Sequence, residues 1–103
     1  MSEAEEYQLK TPASVAADAE AVEIIRIWWS KGEPVMSVKP AFNDPRRFGQ
    51  VLATAAQHMA HAYQVRHGQD EKQAYNKILA GISDVLNGPA LKTVVEDETG
   101  SAQ

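Results

Sequence analysis

Large hydrophobic residues along the chain fall into three patterned stretches that lie between two polar ends. The first stretch, residues 22–40, opens with residues 22–30, which are dense in β-branched and aromatic side chains that suit a strand. A tight-turn signal follows at Lys31-Gly32, where Gly32 can adopt a positive φ, and residues 34–40 supply a second strand. The pattern predicts an antiparallel β-hairpin.

The register of this hairpin follows from the side chains that it would place on each face. A two-residue loop pairs Ile27 with Met36, which gives one wholly apolar face. A slip by one residue would mix polar and apolar side chains on both faces. The predicted core face has six members: Ile25, Ile27, Trp29, Pro34, Met36 and Val38.

The other face of the hairpin is mixed and carries the second indole. If Trp29 lies in the core, Trp28 points the opposite way, beside Ile24 and Val35. Exposed apolar groups of this size commonly mark interaction surfaces, and tryptophan is enriched at protein interfaces. We therefore expect Trp28, Ile24 and Val35 to form an interface, in preference to a stacking platform for a ring-shaped ligand.

The second and third stretches have the 3.6-residue period of amphipathic helices. Asp44-Pro45 is an N-cap followed by a proline suited to the first helical position, and Gly68 is a stop signal. A second helix begins at Asp70 and ends at 87–89. The short link favours two adjacent helices that share a core with the apolar face of the hairpin. The expected core stripes contain Phe48, Val51, Leu52, Ala55, Met59, Ala62 and Tyr63 in the first helix, and Tyr75, Ile78, Leu79, Ile82, Val85 and Leu86 in the second.

The predicted fold class is therefore α+β, an antiparallel β-hairpin followed by two amphipathic helices. We assign residues 21–90 to this single domain, residues 1–20 to a flexible acidic N-terminal segment, and residues 91–103 to a mostly flexible tail with a short docked segment near Val94. A two-stranded sheet leaves unpaired edges, and a second copy of the chain could cover them. We therefore expect a homodimer in which the sheet is completed, although the terminal segments could cover the edges instead.

The amino-acid composition argues against several classes of function. The chain has no cysteine, which excludes disulfides, thiolate nucleophiles and cysteine-ligated metals. A net charge of −4 disfavours general binding to nucleic acid. No apolar run reaches the roughly 20 residues of a membrane span, and the N-terminus is acidic where a signal peptide would be basic. We expect a cytoplasmic protein that binds neither nucleic acid nor membrane.

Few residues lie in a pattern that suggests catalysis, metal binding or ligand binding. His58 and His61 are three residues apart on a predicted helix, but they supply fewer than the three or four ligands that zinc takes. Arg46 and Arg47 lie at the N-terminus of the first helix, where backbone N–H groups and guanidinium groups could hold an anion. No serine lies in a nucleophile motif. We predict no catalytic residues, no cofactor and no metal site.

Several segments also carry a resemblance to a known group of proteins. Ile25-Arg26-Ile27-Trp28, Val38-Lys39-Pro40, Asp44-Pro45 and His61-Ala62-Tyr63 resemble a family of small uncharacterised bacterial domains of unknown function. The resemblance covers about the middle two thirds of the chain and implies the hairpin-plus-helix architecture. The resemblance implies no active-site residues for this chain.

Two functions are consistent with these features. The leading prediction is a non-enzymatic, self-associating interaction module that forms a homodimer or binds another protein. The alternative is a domain that binds a small ligand or an anion at the N-terminus of the first helix, through Arg46 and Arg47.

Overall fold

A computed structural model describes residues 8–89 and the backbone of residues 94–97. Residues 1–7, 90–93 and 98–103, which belong mostly to the predicted N-terminal segment (1–20) and C-terminal tail (91–103), lie outside the described residues. The elements in chain order are α1 (Ala13–Ala16), β1 (Ile25–Ser30), β2 (Glu33–Val38), α2 (Pro45–His67), α3 (Glu71–Leu86) and β3 (Val94–Asp97). The predicted α+β arrangement, a hairpin followed by two helices, is confirmed.

The hairpin has the predicted register. Ile27 pairs with Met36 and Ile25 pairs with Val38 in an antiparallel ladder. Gly32 has the expected positive φ of 77°, and Lys31 also has a positive φ, of 53°. Two consecutive positive φ values are the conformation of a type I′ turn, whose twist matches that of the flanking strands.

A third strand extends the sheet beyond the hairpin. β3 pairs in parallel with β2, with Val94 opposite Val35, so that the strand order is β1-β2-β3. Parallel neighbours require a long crossover connection, and here α2 and α3 supply it. The expected docked segment near Val94 is therefore a strand. A four-residue helix, α1, lies within the segment for which we expected no regular structure.

The ends of the two long helices follow their capping residues. The Asp44 carboxylate accepts the Arg46 backbone N–H at 3.0 Å, Pro45 is the first helical residue, and Gly68 ends α2 with a φ of 68°. The Asp70 carboxylate accepts the Gln73 backbone N–H at 3.0 Å and begins α3. Both predicted helix starts are confirmed.

The buried residues of the two long helices, which lie side by side, are small. The buried residues of the described part are Ala56 and Ala60 of α2 and Ala74 of α3, and Ala60 is only 1% exposed. In α2 these alanines lie about a quarter of a turn away from the expected stripe of larger side chains. Several larger side chains of the stripe, such as Leu52 and Met59, are exposed rather than buried in a core. Among the described residues, no atom lies within 4 Å of a Cβ built at Gly81, so this glycine marks no close contact.

The sheet and the helical pair do not come close together. In the part of the chain that the structure describes, no Cα of a strand lies within 8 Å of a Cα of α2 or α3. The sequence predicts a core shared between the hairpin and the helices, and the described residues show no such close packing. The apolar face of the hairpin is therefore not closed by the helices of the same chain.

Candidate interaction surface

The most exposed large side chains of the hairpin lie on the face that was expected to form the core. Ile27 is 58% exposed and Trp29 is 72% exposed. Because alternate residues of a strand point to the same face, these two side chains are neighbours. Ile25, Met36 and Val38 on this face are half-buried. We call Ile25, Ile27, Trp29, Pro34, Met36 and Val38 the apolar sheet face.

The predicted interface residues are on the opposite face of the hairpin. Trp28, Ile24 and Val35 are half-buried, and Trp28 lies opposite Val35 in the ladder. The exposures of the two tryptophans are thus the reverse of what we expected. The sequence could not reveal this, because both faces of the hairpin carry apolar residues and an indole.

An open groove of roughly 600 Å³ runs beside β1. One wall consists of four consecutive residues of β1, from Ile25 to Trp28, and the other comes from the N-terminal segment between Gln8 and Glu23. Since consecutive side chains point to opposite faces, a groove lined by all four follows the edge of the strand. Leu9, on the opposite wall, is 86% exposed, so the N-terminal segment does not seal this edge.

The long helices also leave large apolar side chains exposed to solvent. In α2 these come from the expected core stripe, together with Val65 on the far side of the helix. In α3 they come from its second half. The exposed members are Leu52, Met59, Tyr63, Val65, Leu79, Ile82, Val85 and Leu86.

The candidate anion site is occupied in part by the protein's own carboxylate. Arg46 and Arg47 are exposed in the first turn of α2, as expected. The Asp44 carboxylate already accepts the Arg46 N–H, and the Asp44 carbonyl accepts the Arg47 N–H at 3.0 Å. An incoming anion would face a negative charge at the same helix end, which weakens the electrostatic attraction.

The two candidate histidine ligands do not act together in the structure. His61 Nδ1 lies 2.7 Å from Glu71 Oε1 of α3, and both side chains are exposed. The Gln64 side-chain oxygen also accepts the Glu71 backbone N–H at 2.9 Å, which ties the two helices together near their link. Within residues 8–89, no group of three or more potential ligands is arranged to hold a metal ion.

The described helices include none that is long and apolar enough to cross a membrane. The charged pairs that the structure shows are at the surface: Arg26 Nε lies 2.6 Å from Glu23 Oε2, and His61 pairs with Glu71. The features that stand out are therefore apolar, namely the sheet face, the edge of β1 and the exposed sides of the helices.

Comparison with known proteins places this architecture in a family. Residues 8–90 match the family described as Domain of unknown function (DUF5076). The chain belongs to this family. No curated protein matches the chain. The expectation of a family of small domains of unknown function is confirmed.

The fold is also similar to that of a solved structure from the photosynthetic bacterium Rhodopseudomonas palustrus CGA009. The two chains are 26% identical, with a TM-score of 0.68, and the match covers 81% of this chain and 85% of that chain. That structure is described as "a putative pyruvate dehydrogenase". The description applies to that protein, and the family to which this chain belongs carries no assigned activity.

Proposed function

We propose that this DUF5076 domain is a non-enzymatic interaction module of the cytoplasm that associates with a second copy of itself. One observation carries the proposal: the hydrophobic residues that are buried in the described part are all alanines. The larger apolar side chains of the sheet and of both long helices remain partly or largely accessible to water.

Energetics explain why this arrangement favours association. Ordering a residue costs about 1–2 kcal/mol in backbone entropy, and burial of a large aliphatic side chain returns about 1.5–3 kcal/mol. Three buried alanines contribute far less than such side chains would. No Cα of a described strand lies within 8 Å of the two long helices, so neither unit closely covers the apolar side chains of the other. Further apolar burial between two copies would stabilise both units.

The structure also changes the surface that we propose for this contact. The sequence favoured Trp28, Ile24 and Val35, which are half-buried. We now propose the apolar sheet face, with Trp29 and Ile27 at its most exposed end. A two-fold axis through this region would bring identical apolar patches together, which is the usual geometry of a homodimer.

Multi-angle light scattering of the full chain tests the proposal. We expect a mass near twice the 11.3 kDa of one chain at high micromolar concentration. Trp29→Lys should shift the protein to the monomeric mass, because it places a charge in the proposed contact. Val65→Lys is a matched control, since Val65 is similarly exposed, at 68%, but belongs to α2. A strict monomer before substitution would overturn the proposal, as would a Trp29→Lys dimer of unchanged affinity.

Binding of an anion by Arg46 and Arg47 is the alternative function. Their exposure at the start of a 23-residue helix favours it, whereas the Asp44 carboxylate at the same helix end weakens it. Thermal unfolding in phosphate and in chloride at equal ionic strength separates the two functions. Stabilisation by phosphate that disappears in the Arg46→Ala, Arg47→Ala double variant would favour the anion site. Equal melting temperatures would rule it out.

We also propose that the pyruvate dehydrogenase activity named for the similar structure is absent from this chain. Decarboxylation of a 2-oxo acid relies on a bound cofactor held in an ordered, water-excluding site. Among the described residues, no polar or charged residue is buried. Incubation with pyruvate, thiamine diphosphate, Mg²⁺ and an artificial electron acceptor should release no carbon dioxide. Release that depends on the protein would contradict this proposal.

A further inference from the structure

We infer that two copies of the chain associate through their β1 strands, which pair antiparallel about a two-fold axis at Ile27. The inference rests on the proposed self-association and specifies its geometry. The second copy would convert two three-stranded sheets into one continuous sheet of six strands. Three features support it: the free edge of β1, the match of side chains across the axis, and the position of Arg26 opposite the second copy's Trp28.

The free edge of β1 follows from the hydrogen bonds of the hairpin. β1 is the outer strand in the order β1-β2-β3, and the Lys39 N–H donates to the Ile24 carbonyl at 2.9 Å. Hydrogen-bonded pairs alternate along an antiparallel ladder, so Ile24, Arg26 and Trp28 direct their backbone groups toward β2. Ile25, Ile27 and Trp29 direct theirs outward.

No described residue forms a hydrogen bond with these outward backbone groups. Among the described residues, the backbone hydrogen bonds outside the helices and strands do not reach Ile25, Ile27 or Trp29. The groove beside β1 lies along the same edge. Unpaired strand edges are efficient templates for pairing with another chain.

The side chains of the three outward residues match across a two-fold axis at Ile27. Antiparallel pairing there places Ile27 opposite Ile27 of the second copy, and Ile25 opposite the second copy's Trp29. All these side chains point to the apolar sheet face, which includes the two most exposed apolar side chains of the hairpin. The pairing would merge two exposed apolar rows, and cross-strand pairs of aromatic and β-branched residues are stabilising.

Side chains on the opposite face are compatible with the same register. With the axis at Ile27, Arg26, which pairs with Glu23 at 2.6 Å, lies opposite the second copy's Trp28. An arginine beside an indole is a favourable cation–aromatic combination, and the contact occurs twice because of the symmetry.

The neighbouring registers are less favourable. Moving the axis to Arg26 places two arginines directly opposite each other, and like charges at opposed positions destabilise a sheet. Moving the axis to Trp28 places Ile25 opposite Lys31, which lies in the turn rather than in the strand. Only the axis at Ile27 pairs all three outward residues with one another.

Disulfide cross-linking can test this register directly, because the natural chain has no cysteine. Directly opposed residues of a hydrogen-bonded pair have Cα atoms about 5.5 Å apart, within the range that a disulfide spans. Ile27→Cys should therefore form a covalent dimer on mild oxidation. Ser30→Cys is the matched control. In the proposed dimer the two substituted positions would lie six residues apart along the strands, or about 20 Å, which is too far for a disulfide.

A mixing experiment makes the test specific for the register. Ile25→Cys and Trp29→Cys are unfolded together, refolded under reducing conditions and then oxidised. The mixture should form a cross-linked heterodimer, whereas each variant alone should cross-link at least tenfold more slowly, since its two thiols would be about 13 Å apart. Equal rates in the mixture and in the separate variants would refute the register.

Hydrogen exchange on the unmodified chain gives a second measurement that depends on no substitution. The amides of Ile25, Ile27 and Trp29 should exchange as slowly as the amides of Arg26 and Trp28, which bond to β2. A dimer by light scattering with fast exchange at the three outward amides would overturn the β1 pairing and leave self-association standing. A monomer by light scattering would overturn both.

Discussion

The turn of the hairpin has an unusual residue at its first position. Lys31 has a φ of 53°, a left-handed conformation that costs an ordinary L-residue about 1–2 kcal/mol. Asparagine and glycine adopt this conformation more readily, and Asn-Gly is the preferred pair in type I′ turns. Lys31 therefore carries a local strain that the hairpin ladder must offset.

We expect Lys31→Asn to raise the free energy of unfolding by about 0.5–1 kcal/mol, because it relieves this strain. Urea denaturation at a fixed protein concentration measures the change. Gly32→Ala is the converse test: φ is 77° there and no atom lies within 4 Å of the added Cβ, so any loss of stability is due to the backbone alone. A destabilised Lys31→Asn variant would contradict the interpretation.

The exposures of Trp28 and Trp29 show how far single residues can be interpreted from sequence. Strand alternation correctly placed the two indoles on opposite faces of the hairpin. Which face is covered depends on the segments that lie beside it, and periodicity within the hairpin holds no information about them. Trp28 lines the groove beside the N-terminal segment, whereas Trp29 remains 72% exposed.

At the scale of the elements, helix ends and helix faces differ in how well the sequence predicts them. The ends of α2 and α3 depend on local capping bonds, made by Asp44, Gly68 and Asp70. The contact face of α2 depends on its neighbour. The residues that become buried are Ala56, Ala60 and Ala74, although the expected stripe contains larger side chains.

The burial of Ala60 predicts that the stability of the fold is sensitive to the size of the side chain at this position. Ala60→Leu should lower the free energy of unfolding by about 1–3 kcal/mol, because Ala60 is 1% exposed and a larger side chain would force the helices apart. Urea denaturation followed by circular dichroism measures the loss. Ala80→Leu is the control, because Ala80 is exposed on α3. Alanine and leucine have similar helix propensities, so this substitution tests the side chain's size without burial. Equal effects of the two substitutions would contradict the proposed packing.

At the scale of the whole molecule, the proposed association links stability to protein concentration. If folded subunits gain stability by pairing, mass action raises the melting temperature as concentration rises. We expect an increase of several degrees between about 5 and 500 μM for the unmodified chain. Differential scanning calorimetry measures it.

The control for this experiment is Ile27→Lys, which places a charge at the proposed two-fold axis. Its melting temperature should be lower and independent of concentration. A melting temperature of the unmodified chain that stays constant over the whole range would contradict an association coupled to folding.

The sequence by itself determined the hairpin and the two long helices, the register of the hairpin and the helix starts. Each depends on interactions between residues that are near in the chain: the Lys31-Gly32 turn, the alternation of apolar side chains, and the caps at Asp44 and Asp70. The tertiary structure alone decided that β3 pairs in parallel with β2, that the buried residues of the long helices are alanines, and that Ile27 and Trp29 of the apolar sheet face are exposed. These features depend on contacts between segments far apart in the chain, for which a local hydrophobic pattern specifies no partner.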